Sequence, residues 1–213
     1  MNYSLYAFDF DGTLVNSLPD LTSTLNHVSQ CAGLEVRFSQ NHVSTMVGDG
    51  VTVLLQRAFP TVRDQEGLRE IFDTYYAAHC SSETELYPDV LSTLNALKAA
   101  GKELVVITNK PQRFTAPMLI NLELQEFFTV VYCGDTFDYK KPDPRVMQKL
   151  LGSRSIPAHD ALMVGDSSND IHCAAEAGVD SVLVMYGYGV EGALQSHIKP
   201  TYTVESLQEL LQL

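Results

Sequence analysis

Cysteine is scarce in this sequence: four residues in 213. Cys31, Cys80, Cys133 and Cys173 are widely spaced, and no two form a Cys-x-x-Cys pair. This argues against a disulfide framework or a thiolate zinc site, and for reduced thiols in a cytoplasmic protein. Basic residues are also few, 14 Lys and Arg against 26 Asp and Glu, for a formal net charge of −12. Nucleic-acid binding rests on clustered Lys and Arg, so that class of partner is not expected. No basic run marks a membrane surface, and no stretch approaches the ~18 apolar residues of a membrane span. The opening Met1-Asn2-Tyr3-Ser4 lacks the charged and long apolar regions of a signal peptide. The six histidines are scattered without ligand spacing and read as surface or packing residues.

What is present is enough apolar residue, 45% of the chain, for one good core. The chain is organised around Phe8 to Val15. Tyr3 to Phe10 reads as a strand buried on both faces, and Asp9 and Asp11 appear where it ends, with Gly12 permitting a sharp turn. Asp and Gly are ordinary turn residues, but charges at the end of a buried strand are costly without compensation. From Asn16 to Ser82 the pattern is helical. Leu21, Leu25, Val28 and Ala32 lie on one face, a short helix is expected over 40–47, and Val51, Leu54, Leu55 and Ala58 mark a third. Leu68, Ile71, Phe72, Tyr75 and His79 mark a fourth. No strand is expected in this segment.

From Leu86 onward strands alternate with helices. A helix over 88–100 would turn Leu91, Leu94 and Leu97 inward, and Leu104 to Ile107 is a buried strand ending in Thr108-Asn109. A helix with Phe114, Met118 and Leu122 follows, then a strand at 130–133 and a polar loop to Lys140-Lys141-Pro142. After a helix over 143–151, Leu162 to Val164 forms a strand ending in Gly165-Asp166-Ser167. A helix to Gly178, a strand over 181–185 and a terminal helix over 204–211 complete the chain. The alternation predicts an α/β protein with a doubly wound parallel sheet. In such sheets the ligand site lies beyond the carboxyl ends of the strands, where Asp9, Thr108, Lys141 and Asp166 all fall.

Asp9, Asp11, Asp166 and Asp170 would share one crevice, and so many carboxylates need a cation. Mg²⁺ suits them, because it takes oxygen ligands and keeps waters that a phosphate can displace. Lys141 adds a positive charge and Thr108 a hydroxyl. A carboxylate nucleophile facing fixed cations suits phosphoryl transfer, where the work is positioning and charge neutralisation.

Asp9-Phe10-Asp11-Gly12-Thr13, Thr108-Asn109, Lys141-Pro142 and Gly165-Asp166-Ser167-Ser168-Asn169-Asp170, in that order and at strand ends, resemble the four motifs of the haloacid dehalogenase superfamily. Leu14 to Leu21, Val47-Gly48-Asp49-Gly50 and Thr108-Asn109-Lys110-Pro111 resemble its phosphoglycolate phosphatase-like branch. The resemblance implies a Rossmann-like core (1–15 and 83–213) and an inserted all-helical cap (16–82). It implies Asp9 as nucleophile and metal ligand, and Asp11 as acid and base with its carbonyl on the metal. Thr108 and Lys141 would bind the phosphoryl group, Asp166 and Asp170 the metal shell. Lys140 is the alternative to Lys141, which precedes the proline as in the family. Asn109 and the cap loop Gly48-Asp49-Gly50 would meet the substrate. Asp11 disfavours dehalogenation. Asn16 and Ser168 depart from the branch pattern, which bears on substrate more than on reaction.

The implied activity is hydrolysis of a small phosphorylated metabolite, 2-phosphoglycolate first, by a monomer or homodimer. A sugar phosphomutase, a pyrophosphatase and a non-catalytic binding protein on the same fold are the alternatives. Arg57 reads as a solvated helix residue, with a charge-assisted bond to a substrate carboxylate as the second reading, Lys110 and Arg113 as offsets to the acidic site, and Tyr186-Gly187-Tyr188-Gly189 as a loop near the site mouth with no assigned role.

Overall fold

The computed structural model describes residues 3–213. Strand β1 (Leu5–Phe8) is buried along its whole length, and a six-stranded parallel sheet is built around it. Numbering in chain order, its other strands are β4 (Glu103–Ile107), β5 (Val130–Tyr132), β6 (Ala161–Gly165), β7 (Asp180–Val184) and β8 (Tyr202–Val204). The order across the sheet is β5-β4-β1-β6-β7-β8, so the ends of β4, β1 and β6 are neighbours.

The strands divide their side chains by the two-residue period. Tyr6, Phe8, Leu104, Val106, Leu162 and Val164 face one side. There they meet α5 (Val90–Ala99), α6 (Gln112–Asn121) and a 3₁₀ segment, Leu207–Gln212. Leu5, Ala7, Val105, Ile107 and Met163 face the other, against α7 (Arg145–Arg154) and α8 (Ser168–Glu176). A short helix, α9 (Val190–Gln195), packs through Ala193 on Ile171 and Leu183. Among the described residues no helix is long and apolar enough to cross a membrane.

Between the first and second core strands the chain forms α1 (Leu18–Cys31), α2 (Gln40–Ser44), α3 (Val51–Ala58) and α4 (Gln65–His79). Leu25, Val28, Leu54, Leu55, Phe72 and Tyr76 are their buried stripes. The chain leaves and re-enters through a two-stranded antiparallel ribbon, β2 (Val15–Asn16) with β3 (Glu85–Leu86). Two residues per strand are too few to show alternation, which is why sequence periodicity missed the ribbon. Beside it, Asp20 at the start of α1 is buried. Its carboxylate accepts from Glu83 N at 3.0 Å, Thr84 N at 2.9 Å and Thr84 Oγ1 at 2.7 Å. One side chain thus ties the beginning of the helical region to its end.

Other sequence expectations fail as well: Ala32, expected on the inner face of the first helix, follows the end of α1 and is exposed. Leu91 is not inward but 41% exposed, and Val90 takes the inner position with Thr93, Leu94 and Leu97. Residues 90, 94 and 97 keep to one face of a 3.6-residue helix, whereas two successive steps of three drift off it. The expected terminal helix over 204–211 is shorter and of the 3₁₀ type, Leu207–Gln212, and Val204 belongs instead to β8, the parallel edge strand. Val204 is buried in the sheet while Tyr202 and Thr203 are exposed.

Replacing Asp20 by Ala strands the buried Thr84 N and removes the acceptor of the part-buried Glu83 N. It should cost about 2–4 kcal/mol, against about 1 kcal/mol for losing the Asp64 cap of α4. Urea unfolding of the two variants would check the contrast.

Candidate active site

Asp9 follows β1, Thr108 and Asn109 follow β4, and Asp166 follows β6. Asp170 stands in the first turn of α8. The loop after β5 returns to place Lys141 among them, 2% exposed. Its ammonium lies 2.8 Å from Asp9 Oδ1 and 2.6 Å from Asp170 Oδ1. Phe10 N also donates to Asp9 Oδ1, at 2.7 Å. Asp170 serves twice, because its other oxygen accepts from Ser167 N (3.0 Å) and Ser167 Oγ (2.7 Å) in the capping box of α8. Asp166 is held by Gly189 N at 2.8 Å.

The carboxylates of Asp9, Asp166 and Asp170 come within 4.8 Å of one another. Three buried acids face one ammonium, and the electrostatics register the surplus. Burial, then the charge of Asp170, pushes Asp9 up to about 7 against the opposing pull of Lys141. Burial, then Asp170 and Asp9, holds Asp166 well above the ordinary carboxylate range. Burial works against the Lys141 ammonium, but Asp170 and Asp9 more than offset it and raise its pKa. An all-oxygen set with excess negative charge fits a hard divalent cation.

The glycines set how closely this cluster closes. Gly12 has φ +86°, and a Cβ there would lie 2.3 Å from Asp166 Oδ2. A Cβ at Gly187 would lie 2.1 Å from the Asp166 Cβ. Any side chain at either position would force Asp166 out of place.

Asp11 faces away from the cluster. Its carboxylate accepts from Ser17 Oγ (2.5 Å) and pairs with Lys110 Nζ at 3.0 and 3.1 Å. Lys110 is no loose offset to the acidic site: it is buried and also donates to Tyr76 Oη of α4 at 2.7 Å. Burial disfavours its charge, but Asp11 and Tyr76 overcompensate and its pKa is raised. Thr108 Oγ1 accepts from Lys110 N at 3.1 Å. Arg113 pairs with Asp73 of α4 instead.

The loop Gly48-Asp49-Gly50 is latched to the core. Asn109 Nδ2 donates to Gly48 O (3.0 Å) and Lys141 O (2.8 Å), Lys140 Nζ to Asp49 O (2.7 Å), and Asn169 Nδ2 to Asp49 Oδ1 (2.8 Å). Lys140 therefore reaches the loop and Lys141 reaches Asp9. Arg57, read as a solvated helix residue, pairs with Asp49 and donates to Met46 O. Gly48 and Gly50 line a cleft with Asp9, Asp11, Thr108 and Asn109. The Asp49 side chain is turned away to Arg57 and Asn169.

The Tyr186 to Gly189 loop, to which sequence reasoning gave no role, belongs to this site. Tyr186 Oη donates to Thr13 O at 2.8 Å, Tyr188 Oη lies 3.3 Å from Ser17 Oγ, and Gly189 holds Asp166. Two glycines alternating with two tyrosines directly after a strand were the available signal.

Residues 6–184 match the model of the haloacid dehalogenase-like hydrolase family. The chain belongs to that family. It lies on the phosphoglycolate phosphatase-like branch, and so among its phosphatase-type enzymes. It is 38% identical to phosphoglycolate phosphatase of Vibrio parahaemolyticus, over 98% of this chain and 94% of the relative. It is 36% identical to phosphoglycolate phosphatase 1 of Pseudomonas aeruginosa, over 97% and 78%. A crystal structure of a predicted phosphoglycolate phosphatase from Haemophilus somnus superposes with a TM-score of 0.92 at 34% identity, covering 100% of this chain and 98% of that one.

The raised acids fix the sign of a pH effect in metal-free protein. Asp9 and Asp166 hold protons more tightly folded than unfolded, so their contribution to stability is greatest below about 4 and falls as pH rises through the Asp9 value of about 7. Denaturation midpoints in chelator should decline across that window more than those of an Asp9→Asn/Asp166→Asn double variant. Saturating divalent cation should remove the decline.

Proposed function

We propose that this protein hydrolyses small phosphate monoesters, 2-phosphoglycolate foremost, with Mg²⁺ and through an aspartyl phosphate on Asp9. The observation that carries this is the Asp9 carboxylate held by Lys141 beside Asp166 and Asp170, with Asp11 across the same cleft. The named relatives support the choice of substrate.

Asp9, Asp166 and Asp170, with the Asp11 carbonyl, would hold the cation. When bound, Mg²⁺ supplies charge neutralisation for the acid cluster and the phosphoryl oxygens. Phe10 N–H and Lys141 tether Asp9 Oδ1 and so hold the nucleophile in one orientation. Asp9 attacks phosphorus; the new bond is Asp9 O–P, and the bond broken joins phosphorus to the ester oxygen. Asp11 gives its proton to the departing alkoxide. It then takes a proton from water, which attacks the same phosphorus and releases inorganic phosphate and free Asp9. The Thr108 hydroxyl and Lys141 ammonium bind the phosphoryl oxygens. Residues 16–82 act as a cap on a core of 1–15 and 83–213, with Gly48 and Gly50 as its edge over the cleft and Asp49 as its latch. Closure of such a cap excludes water from the leaving group.

Phosphate release with Mg²⁺ across 2-phosphoglycolate, pyrophosphate, sugar phosphates and nucleoside monophosphates tests the reading. Phosphoglycolate should lead. Isomerisation of a sugar phosphate without phosphate release would make the protein a mutase instead. Asp9→Asn should abolish turnover and chelation should do so reversibly. Lys141→Ala should lower kcat by about 10²–10³-fold or more. Lys140→Ala, which loses only a loop contact, should change kcat by less than about 10-fold.

A further inference from the structure

The cleft that holds Asp9 and Asp11 is also lined by the apolar residues Leu21, Val47, Val51, Leu54 and Phe114. Among the described residues, Lys110 is the one cationic residue lining the cleft. Lys141, Lys140 and Arg57 lie outside that lining, Lys141 against Asp9 and Asp170, Lys140 against the Asp49 carbonyl, and Arg57 against Asp49 and Met46. Lys110 is 7% exposed and held from two sides, by Asp11 in the core and by the Tyr76 hydroxyl of α4. Tyr76 accepts from Lys110, and its own hydroxyl proton has no protein acceptor among the described residues. An ammonium and a phenolic donor thus sit side by side at the edge of an apolar chamber, next to the side chain proposed to protonate the leaving oxygen.

We infer that Lys110 and Tyr76 form the subsite for a carboxylate on the leaving group, and so select monoesters of small hydroxy acids over neutral alcohols. The inference rests on the phosphatase reading above and adds the residues that choose the substrate. An anion entering an apolar chamber needs a partner already in place. Lys110 is fixed there by Asp11, so binding requires little ordering of a long side chain. A carboxylate one carbon from the ester oxygen falls within reach of the group that contacts Asp11. Tyr76 belongs to the helical region and Lys110 to the core, so the subsite is complete only when the two are packed together.

The test pairs 2-phosphoglycolate with 2-hydroxyethyl phosphate, which keeps the chain length and replaces the carboxylate by a neutral hydroxymethyl. The wild-type protein with Mg²⁺ should prefer the carboxylate by about 10²-fold or more in kcat/KM. Lys110→Gln should collapse that ratio to about 10-fold or less, and Tyr76→Phe should lower it several-fold, mainly through KM. Equal losses on both substrates, leaving the ratio intact, would overturn the inference and leave Lys110 as a positioning residue for Asp11. Absence of preference in the wild type would overturn it as well. Should Lys110→Gln fail to fold, Tyr76→Phe, which keeps the ring packed on Phe114, decides by the same ratio. Turnover of the hydroxyethyl ester that vanishes in Asp9→Asn keeps the phosphatase reading even where the ratio refutes the subsite. No release from any monoester removes both.

Discussion

The buried ammonium of Lys141 between Asp9 and Asp170 is the contact on which the rest of the site depends. Taking three such charges out of water is costly, and a well-packed apolar cluster of similar volume would serve stability as well or better. What the arrangement secures is position. Lys141 has to be carried under the strand ends by a long polar loop after β5, and Asn109 pins that loop through the Lys141 carbonyl. Asp170 has to sit in the first turn of α8, where Ser167 fixes its second oxygen. Gly12 and Gly187 must lack side chains so that Asp166 can close on the other two acids. Each of these local choices makes sense only around a concentrated negative charge that one lysine does not balance.

A second cation organises the opposite wall. Lys110 joins Asp11, the polar end of β4 and Tyr76 of the helical region, while Asp49 and Gly48 are joined to Asn109, Asn169 and Lys140. The helical region therefore meets the core through polar contacts at the cleft and through aromatic packing of Tyr76 and Phe72 on Phe114 behind it. Contacts of this mixed kind hold one arrangement without making it permanent, which suits an element expected to open and close over a substrate. The ribbon of β2 with β3 and the Asp20 clasp keep the two crossings between the parts side by side.

Most strands and helices were legible because their apolar residues recur with the period of the element they form, as in the continuous Leu104 to Ile107 and the stripe of Leu54, Leu55 and Ala58. The acidic pairs and Thr108 were legible because each stands directly after such a strand. Tertiary placement was needed where the signal is short or lies in a loop. The β2–β3 ribbon has too few residues for a period to show, the edge strand β8 buries only Val204 and lacks the continuous apolar run that marks β5, and the inward turn of Val90 depends on where α5 begins. Asp49 looked like a residue that meets the substrate, and its carboxylate is turned to Arg57 and Asn169. The Tyr186 to Gly189 loop carries no recurrent pattern, yet it supplies an N–H to Asp166.

What the sequence by itself determined is the doubly wound sheet and the places of Asp9, Thr108 and Asp166 directly after its strands, because periodicity and strand-end position are properties of local order along the chain. The family resemblance already set Lys141, before its proline, at the phosphoryl end, but that Lys110 serves Asp11 and Lys140 the Asp49 carbonyl was decided only by the tertiary structure. Lys110, Lys140 and Lys141 are chemically alike and two of them are adjacent, yet one faces Asp11, one the Asp49 carbonyl and one Asp9. Their partners lie on elements distant in sequence, so the choice among them belongs to packing and not to pattern.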